Sequence, residues 1–152
     1  ETAWMVRTLG NKAHILLTSP RRMGKTQLVR HVFEQPHIKD NYYTFYSDIY
    51  PTTSLNELVL FLSKEIYAVL VPKGRTVLNK FLAALHSLAG SLGYDPISNT
   101  PTFNIKLGDI HSPELTLEEI FRYLEQADKP CIFAIDEFQQ IANRSDLSGL
   151  HP

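Results

Sequence analysis

Residues 19–26 read Ser19-Pro20-Arg21-Arg22-Met23-Gly24-Lys25-Thr26. An apolar run precedes them at 13–17, and a helical pattern follows at 27–33. A strand, a loop that ends in Gly-Lys-Thr and a helix together form the layout of a phosphate-binding P-loop. Backbone N–H groups in such a loop and at the helix N-terminus converge on one point and favour an anion there. The stretch therefore predicts a phosphate site. In it Gly24 lets the backbone approach closely, Lys25 reaches the outer phosphates, and the Thr26 hydroxyl binds Mg²⁺.

Ser19 departs from the general pattern G-x-x-x-x-G-K-[ST], which has glycine at that position. Serine can turn but resists a positive φ, so the motif is weaker than the full pattern. The alternative is a strand, a turn and a helix that carry a surface lysine, since short motifs give false matches.

A second motif ends in two carboxylates and reads Cys131-Ile132-Phe133-Ala134-Ile135-Asp136-Glu137. A continuous apolar run of this kind predicts a strand buried on both faces of a parallel sheet. Ligands bind beyond the carboxyl ends of such strands, so both acids are expected at the same rim as the P-loop. Asp136 is suited to hold Mg²⁺, directly or through water, and Glu137 to orient or deprotonate an attacking water. A helix N-cap would explain Asp136 alone, but it explains less well the presence of both motifs in one chain.

With both motifs in view, the chain resembles the AAA+-related ATPases of archaea and bacteria, close to the STAND group of signalling NTPases. Residues 12–35 and 130–142 carry the resemblance, and between them only the order of elements matches. In that family the loop usually reads [GS]-P-R-R-x-G-K-[ST], so Ser19 is a family variant. The resemblance implies a site for ATP and Mg²⁺ whose nucleotide-binding residues are Ser19, Pro20, Arg21, Arg22, Met23, Gly24, Lys25, Thr26 and Gln27.

The resemblance also implies a role for individual side chains. Lys25 binds the β- and γ-phosphates, Thr26 and Asp136 serve Mg²⁺, and Glu137 is the catalytic residue that activates water. Two further cations of the loop, Arg21 and Arg22, are typical of the family, and they are equally explained as solvated charges beside a phosphate site.

The fold that the resemblance implies is α/β: a P-loop NTPase three-layer sandwich with a mostly parallel sheet and a helical insertion at about 54–128. In that fold a later strand, which carries a polar sensor residue, inserts between the P-loop strand and the Asp-Glu strand. The chain ends at Pro152, so this strand, the arginine finger and the C-terminal lid or winged-helix region are expected to be absent.

We interpret 1–152 as the N-terminal part of one ATPase domain, either a fragment or a chain with segments omitted. Residues 143–152 do not continue a helical pattern, which supports a break or a foreign tail.

Patterning outside the motifs predicts the remaining elements. Ser54 and Thr116 each begin a capping box that opens a helix. The two apolar-faced helices after Ser54 are expected to pair as a hairpin within the core, with a partner helix as the alternative occupant of their stripe. Asp48 lies near the rim, where a turn or cap role explains it better than a metal contact. Helices are predicted at 1–10, 25–35, 54–71, 76–92 and 116–127. Strands are predicted at 13–18, 42–49 and 131–136. A loop region is predicted at 93–113, with a strand or hairpin arm at 102–107 within it.

Composition limits the functional classes. The chain has 152 residues, of which 43% are hydrophobic and 20% charged, as in a folded domain with a core. The formal net charge of −1 gives no global attraction to nucleic acid, and the phosphate site accounts for the local basic residues. Cys131 is the only cysteine, which fits a reducing compartment and a packing thiol. No signal peptide or membrane-length apolar stretch is apparent, so we predict a soluble, cytoplasmic protein. The six histidines show no zinc-ligand spacing.

Three functions are consistent with these residues. The first is an ATPase that couples ATP binding and Mg²⁺-dependent hydrolysis to a conformational change. The second is a non-catalytic nucleotide-dependent switch, with a protein partner or self-association. The third is a nucleic-acid-associated ATPase, which related families include but the charge does not support. The chain lacks a guanine-reading N-K-x-D motif, which favours ATP over GTP.

Overall fold

The computed structural model describes residues 1–98 and 100–142. Its helices are α1 (Thr2–Gly10), α2 (Lys25–Phe33), α3 (Pro36–Asn41), α4 (Leu55–Leu70), α5 (Arg75–Ala84), α6 (Pro113–Gln126) and α7 (Gln139–Ala142). Its strands are β1 (Tyr43–Asp48), β2 (Gly93–Asp95), β3 (Thr100–Thr102) and β4 (Cys131–Asp136). Short 3₁₀ turns cover Val71–Lys73, His86–Ser91 and Leu107–Asp109. The predicted break at 143–152 lies outside the described residues.

A two-stranded parallel sheet joins the two parts of the chain that carry the motifs. β1 and β4 pair in register from Tyr43 opposite Cys131 to Asp48 opposite Asp136. Because the strands are parallel, a crossover must connect them, and the segment between them contains α4, α5 and α6. The chain is therefore α/β, and both strands end at one edge with an aspartate.

The predicted strand at 13–18 is wrong, because these residues have no regular secondary structure. A strand is held by hydrogen bonds to a neighbour, and within the described residues the parallel sheet contains β1 and β4 alone. The apolar side chains Ile15 and Leu17 still pack, together with Ile132 of β4, against a small core formed by Met5, Val32 and Ile38. The apolar run therefore buries two of its side chains partly without forming a paired strand, and Leu16 between them is exposed.

The main core lies on the other face of the sheet, where α4, α5 and α6 pack. Phe45 of β1 stacks on Phe133 of β4 with ring centroids 5.6 Å apart. Apolar residues of α4 and α5 are buried in the same cluster, so their stripe forms internal core as predicted. β4 is partly exposed along its whole length instead of buried on both faces, since β1 pairs along only one of its edges in the part that the structure describes.

The capping box at Ser54 is confirmed with one change. The Ser54 hydroxyl accepts a hydrogen bond from the Glu57 N–H at 3.1 Å, as an N-cap does. The Glu57 carboxylate reaches back one residue further than expected and accepts from the Thr53 N–H at 2.6 Å. Both ends of α4 agree with the sequence, since Pro72 follows it within a 3₁₀ turn.

The second capping box is wrong, because α6 begins at Pro113, before Thr116. Proline is favoured at the first helical position, where no N–H is needed. Thr116 is instead buried inside the helix, where its hydroxyl lies 2.7 Å from the Ser87 Oγ. Glu119 is buried as well and accepts the Ser87 N–H at 3.0 Å.

That last contact explains why α5 ends at Ala84 and not near 92. A continuing helix would direct the Ser87 N–H to the carbonyl four residues earlier, but the N–H donates to the Glu119 carboxylate. Leu85 leaves the helical conformation, with φ −86° and ψ 63°. In the loop region that follows, the predicted arm at 102–107 is replaced by an antiparallel pairing of β2 with β3, which ends at Thr102.

Candidate functional site

The loop at 19–24 enters α2 through two residues with left-handed backbone. Gly24 is the N-cap, with φ 76° and ψ 17°, and Arg22 has φ 65°. A β-carbon at Gly24 would meet nothing within 4 Å, so glycine is favoured there by its backbone angle and not by lack of space. Ser19 is not among the residues with positive φ, so the absence of glycine at this position does not strain the loop.

A cleft of about 600 Å³ opens at the junction of the loop and the sheet edge. It brings most of the predicted site residues together, although the two motifs lie far apart in sequence. Ser19 and Pro20 do not line the cleft. Asp48, the last residue of β1, and Tyr50, two residues later, line it as well. The lining residues are Arg21, Arg22, Met23, Gly24, Lys25, Thr26, Gln27, Asp48, Tyr50, Asp136 and Glu137.

The two motifs meet directly through Thr26 and Asp136. The Thr26 hydroxyl donates to the Asp136 Oδ2 at 3.3 Å across 110 residues of sequence. The same Oδ2 accepts the hydroxyl of Tyr46, on β1, at 2.5 Å. The Tyr46 hydroxyl bond lowers the pKa of Asp136 against the opposing effect of burial, so the carboxylate is ionised at neutral pH. Burial raises the pKa of Tyr46, which keeps its phenol protonated as the donor.

Glu137 follows β4 in a left-handed conformation with φ 58°. Non-glycine residues adopt this conformation rarely, and such strain is concentrated at functional sites. The Glu137 N–H donates to the Asp136 Oδ1 at 2.9 Å, and the Gln139 side-chain amide donates to the Glu137 carboxylate. The Glu137 carboxylate is thus held at the cleft by a side chain two residues further along the chain.

The cationic side of the cleft comes from the loop. The Lys25 ammonium donates to the Ser19 carbonyl at 3.0 Å, which closes the loop on itself. One turn along α2, the Arg30 guanidinium lies 4.9 Å from the centre of the Tyr46 ring, within the range of a cation–π contact. Asp48 has the turn role expected from the sequence, since its Oδ1 accepts the Tyr50 N–H at 3.0 Å.

Tyr46 is the residue that sequence reasoning missed. It lies in the predicted strand at 42–49, whose many aromatic side chains are typical of a core. The alternation of β1 was the available signal, because Phe45 and Ser47 are buried and Tyr46, between them, points to the opposite face.

The donors at the cleft fit one kind of metal site. Within 1–98 and 100–142, no group of three or more His, Cys, Asp or Glu side chains could hold a metal by itself. The hydroxyl of Thr26 and the carboxylate of Asp136 are hard oxygen donors, which suit Mg²⁺. Mg²⁺ commonly takes one or two protein oxygens and completes its shell with water and substrate phosphates. The residues present therefore fit Mg²⁺ delivered with a phosphate ligand.

The comparison with known proteins does not assign the chain to a family. No protein-family model, curated protein or solved structure matches the chain. The described helices include none that is both long enough and apolar enough to cross a membrane.

Proposed function

We propose that this chain binds ATP with Mg²⁺ and belongs to a P-loop ATPase of the AAA+/STAND type that hydrolyses ATP to drive a conformational change. The observation that carries the proposal is the hydrogen bond from Thr26 to Asp136 at the mouth of the cleft. It joins a Gly-Lys-Thr helix start to an acidic strand end, the pair that P-loop enzymes use for phosphate and metal. Helices on both faces of β1 and β4 support the three-layer sandwich as part of the same proposal.

Nucleotide binding is assigned to the loop and the start of α2. The N–H groups at the N-terminus of α2 carry a partial positive charge and favour the triphosphate. On binding, the Lys25 ammonium leaves the Ser19 carbonyl for the β- and γ-phosphate oxygens. Thr26 and Asp136 hold Mg²⁺, which when bound neutralises the charge that develops on the phosphates.

Hydrolysis is assigned to Glu137. Its carboxylate accepts a proton from a water whose oxygen bonds to the γ-phosphorus, and the bond from that phosphorus to the β–γ bridging oxygen breaks. ADP and inorganic phosphate result. Gln139 orients the carboxylate through its side-chain amide. An arginine supplied in cis or in trans completes the charge stabilisation.

Calorimetry of Mg·ATP binding tests the first half of the proposal. Lys25→Ala should abolish measurable binding, because it removes the cation that meets the outer phosphates. Lys80→Ala is the matched control, since Lys80 is exposed on α5 and remote in sequence from both motifs. Equal affinity in the wild type and Lys25→Ala, or no binding by the wild type, would overturn the proposal.

Phosphate release separates the enzyme from the non-catalytic switch. Glu137→Gln should keep Mg·ATP affinity within a few-fold and lose turnover, because the amide cannot accept the proton. Glu118→Gln, an exposed change on α6, should leave both unchanged. A wild type that binds Mg·ATP without releasing phosphate, alone or with its partners, would favour the switch.

A further inference from the structure

Three oxygen atoms from three different elements form a compact triangle at the cleft. The Tyr46 hydroxyl lies 2.5 Å from the Asp136 Oδ2 and 3.1 Å from the Thr26 Oγ1, and the last two atoms are 3.3 Å apart. The side chains come from β1, β4 and α2, so the triangle fixes how the two strands and the helix meet. Thr26 and Asp136 are the proposed metal residues, and Tyr46 is the additional member.

The direction of each hydrogen bond follows from the chemistry of the groups. An ionised carboxylate only accepts, so both hydroxyls donate to the Asp136 Oδ2. Each hydroxyl has one proton, and both protons are then committed. The Thr26 Oγ1 is left with free lone pairs, which is the state that a metal-binding hydroxyl requires.

The Tyr46 ring makes a second contact with α2, through Arg30. Arg30 lies on α2 four residues after Thr26, and its guanidinium is 4.9 Å from the ring centre. Residues four apart share one helix face, so the same face of α2 supplies the metal hydroxyl and the ring contact. The position of the Tyr46 hydroxyl is therefore coupled to the position of Thr26.

We propose that Tyr46 is a positioning residue for Mg²⁺: its hydroxyl fixes the Asp136 carboxylate, and thereby the Thr26 hydroxyl, in the arrangement that receives the metal. This inference rests on the proposed function of the cleft. Partners that orient a metal ligand typically contribute about 10- to 100-fold to metal affinity. Tyr46 acts on the metal alone, since the phosphates are bound by the loop.

The test is the Mg²⁺ dependence of nucleotide binding by the full chain. Calorimetry with an ATP analogue that has a non-hydrolysable β–γ bridge gives the Mg²⁺ concentration for half-maximal affinity gain, and a titration in EDTA gives metal-free affinity. Tyr46→Phe keeps the ring and removes the hydroxyl. It should raise the required Mg²⁺ about 10-fold or more and leave affinity in EDTA within about 2-fold.

Tyr43→Phe is a closely matched control. Tyr43 lies on the same strand and its hydroxyl also donates to a carboxylate, Asp128, at 3.0 Å, but at the end of β1 away from the cleft. Its Mg²⁺ dependence should equal that of the wild type. Arg30→Gln, which frees the ring but keeps the hydroxyl, should raise the required Mg²⁺ by less than Tyr46→Phe.

The outcomes separate the two proposals. A wild type that binds the analogue with Mg²⁺ while Tyr46→Phe shows the same Mg²⁺ dependence would overturn the role of Tyr46 and leave the proposed function standing. A lower Mg²⁺ requirement in Tyr46→Phe would also overturn it, because the hydroxyl would then compete with the metal. A wild type that binds no analogue would overturn both proposals.

Discussion

Asp48 and Asp136 lie opposite each other as the last register pair of the parallel strands β1 and β4. Both line the cleft, together with Glu137. Three carboxylates therefore share the cleft with the cations of the loop. The strand register places Asp48 at the cleft. Its negative charge therefore repels an anion that binds there.

Asp48→Asn isolates that charge. The amide oxygen can still accept the Tyr50 N–H, so the turn is kept. Removing a negative charge beside a bound anion should strengthen binding of ATP in EDTA by about 2- to 10-fold at low salt, as expected for charges at a partly exposed site. The gain should fade in about 1 M salt, where the screening length falls to roughly 3 Å. Calorimetry at the two salt concentrations measures both effects.

Asp40→Asn, at an exposed position of α3, is the control for the charge change itself. It should leave ATP affinity unchanged at either salt concentration. The electrostatic account fails if the two variants behave alike, or if the gain in Asp48→Asn persists in high salt.

Gly24→Ala should destabilise the loop without any steric clash. The β-carbon would have open space, but alanine in the left-handed conformation at φ 76° costs about 1–2 kcal/mol. Urea unfolding should show a loss of this size in the free energy of unfolding. Gly90→Ala is the comparison, because Gly90 has open space and no positive φ, and it should change stability by less than about 0.5 kcal/mol. Equal losses in the two variants would contradict the conformational argument.

The start of α2 and the segment 13–18 differ in how well the sequence predicted their structure. The start of α2 depends on neighbouring residues, and it was predicted correctly together with β1, β4 and the convergence of Lys25, Thr26 and Asp136 in one cleft. The predicted strand at 13–18 was wrong, because strand pairing requires a neighbour that an apolar run within the segment cannot reveal.

Tyr46 illustrates the same limit within the site. Its hydroxyl meets Asp136 across 90 residues of sequence, through a strand register that no local pattern specifies. The predicted start of α6 was wrong for a local reason. Two helix-start signals lie close together, the capping-box motif at Thr116 and the proline at 113, and the helix begins at Pro113.

The N-cap of α4 gives a prediction about stability. Ser54→Ala removes the hydroxyl that accepts the Glu57 N–H, and it should cost about 1 kcal/mol of unfolding free energy. Ser112→Ala is the matched control, because Ser112 precedes α6 but makes no side-chain cap hydrogen bond. It should cost less than about 0.5 kcal/mol. Thermal unfolding of the two variants compares them, and a larger loss in Ser112→Ala would refute the assignment of the caps.

Cys131, at the start of β4, gives a prediction about pH. Burial, with a smaller contribution from the charge of Asp128, raises the pKa of Cys131 to about 11, from an ordinary value of 9.0. The folded thiol holds its proton more tightly than the unfolded thiol. Its contribution to stability is therefore fully present below about pH 9 and is lost as the pH rises toward 11.

The same difference in pKa predicts the reactivity of the thiol. At pH 8 the thiolate fraction should be about 100-fold smaller in the folded chain than in urea, because a pKa difference of about two units separates the states. Alkylation by iodoacetamide should slow by a similar factor, since the thiolate is the nucleophile. Asp128→Asn should accelerate alkylation of the folded chain by lowering the pKa of Cys131. Native and urea-unfolded chains that react at the same rate would show that burial in β4 does not protect the thiol.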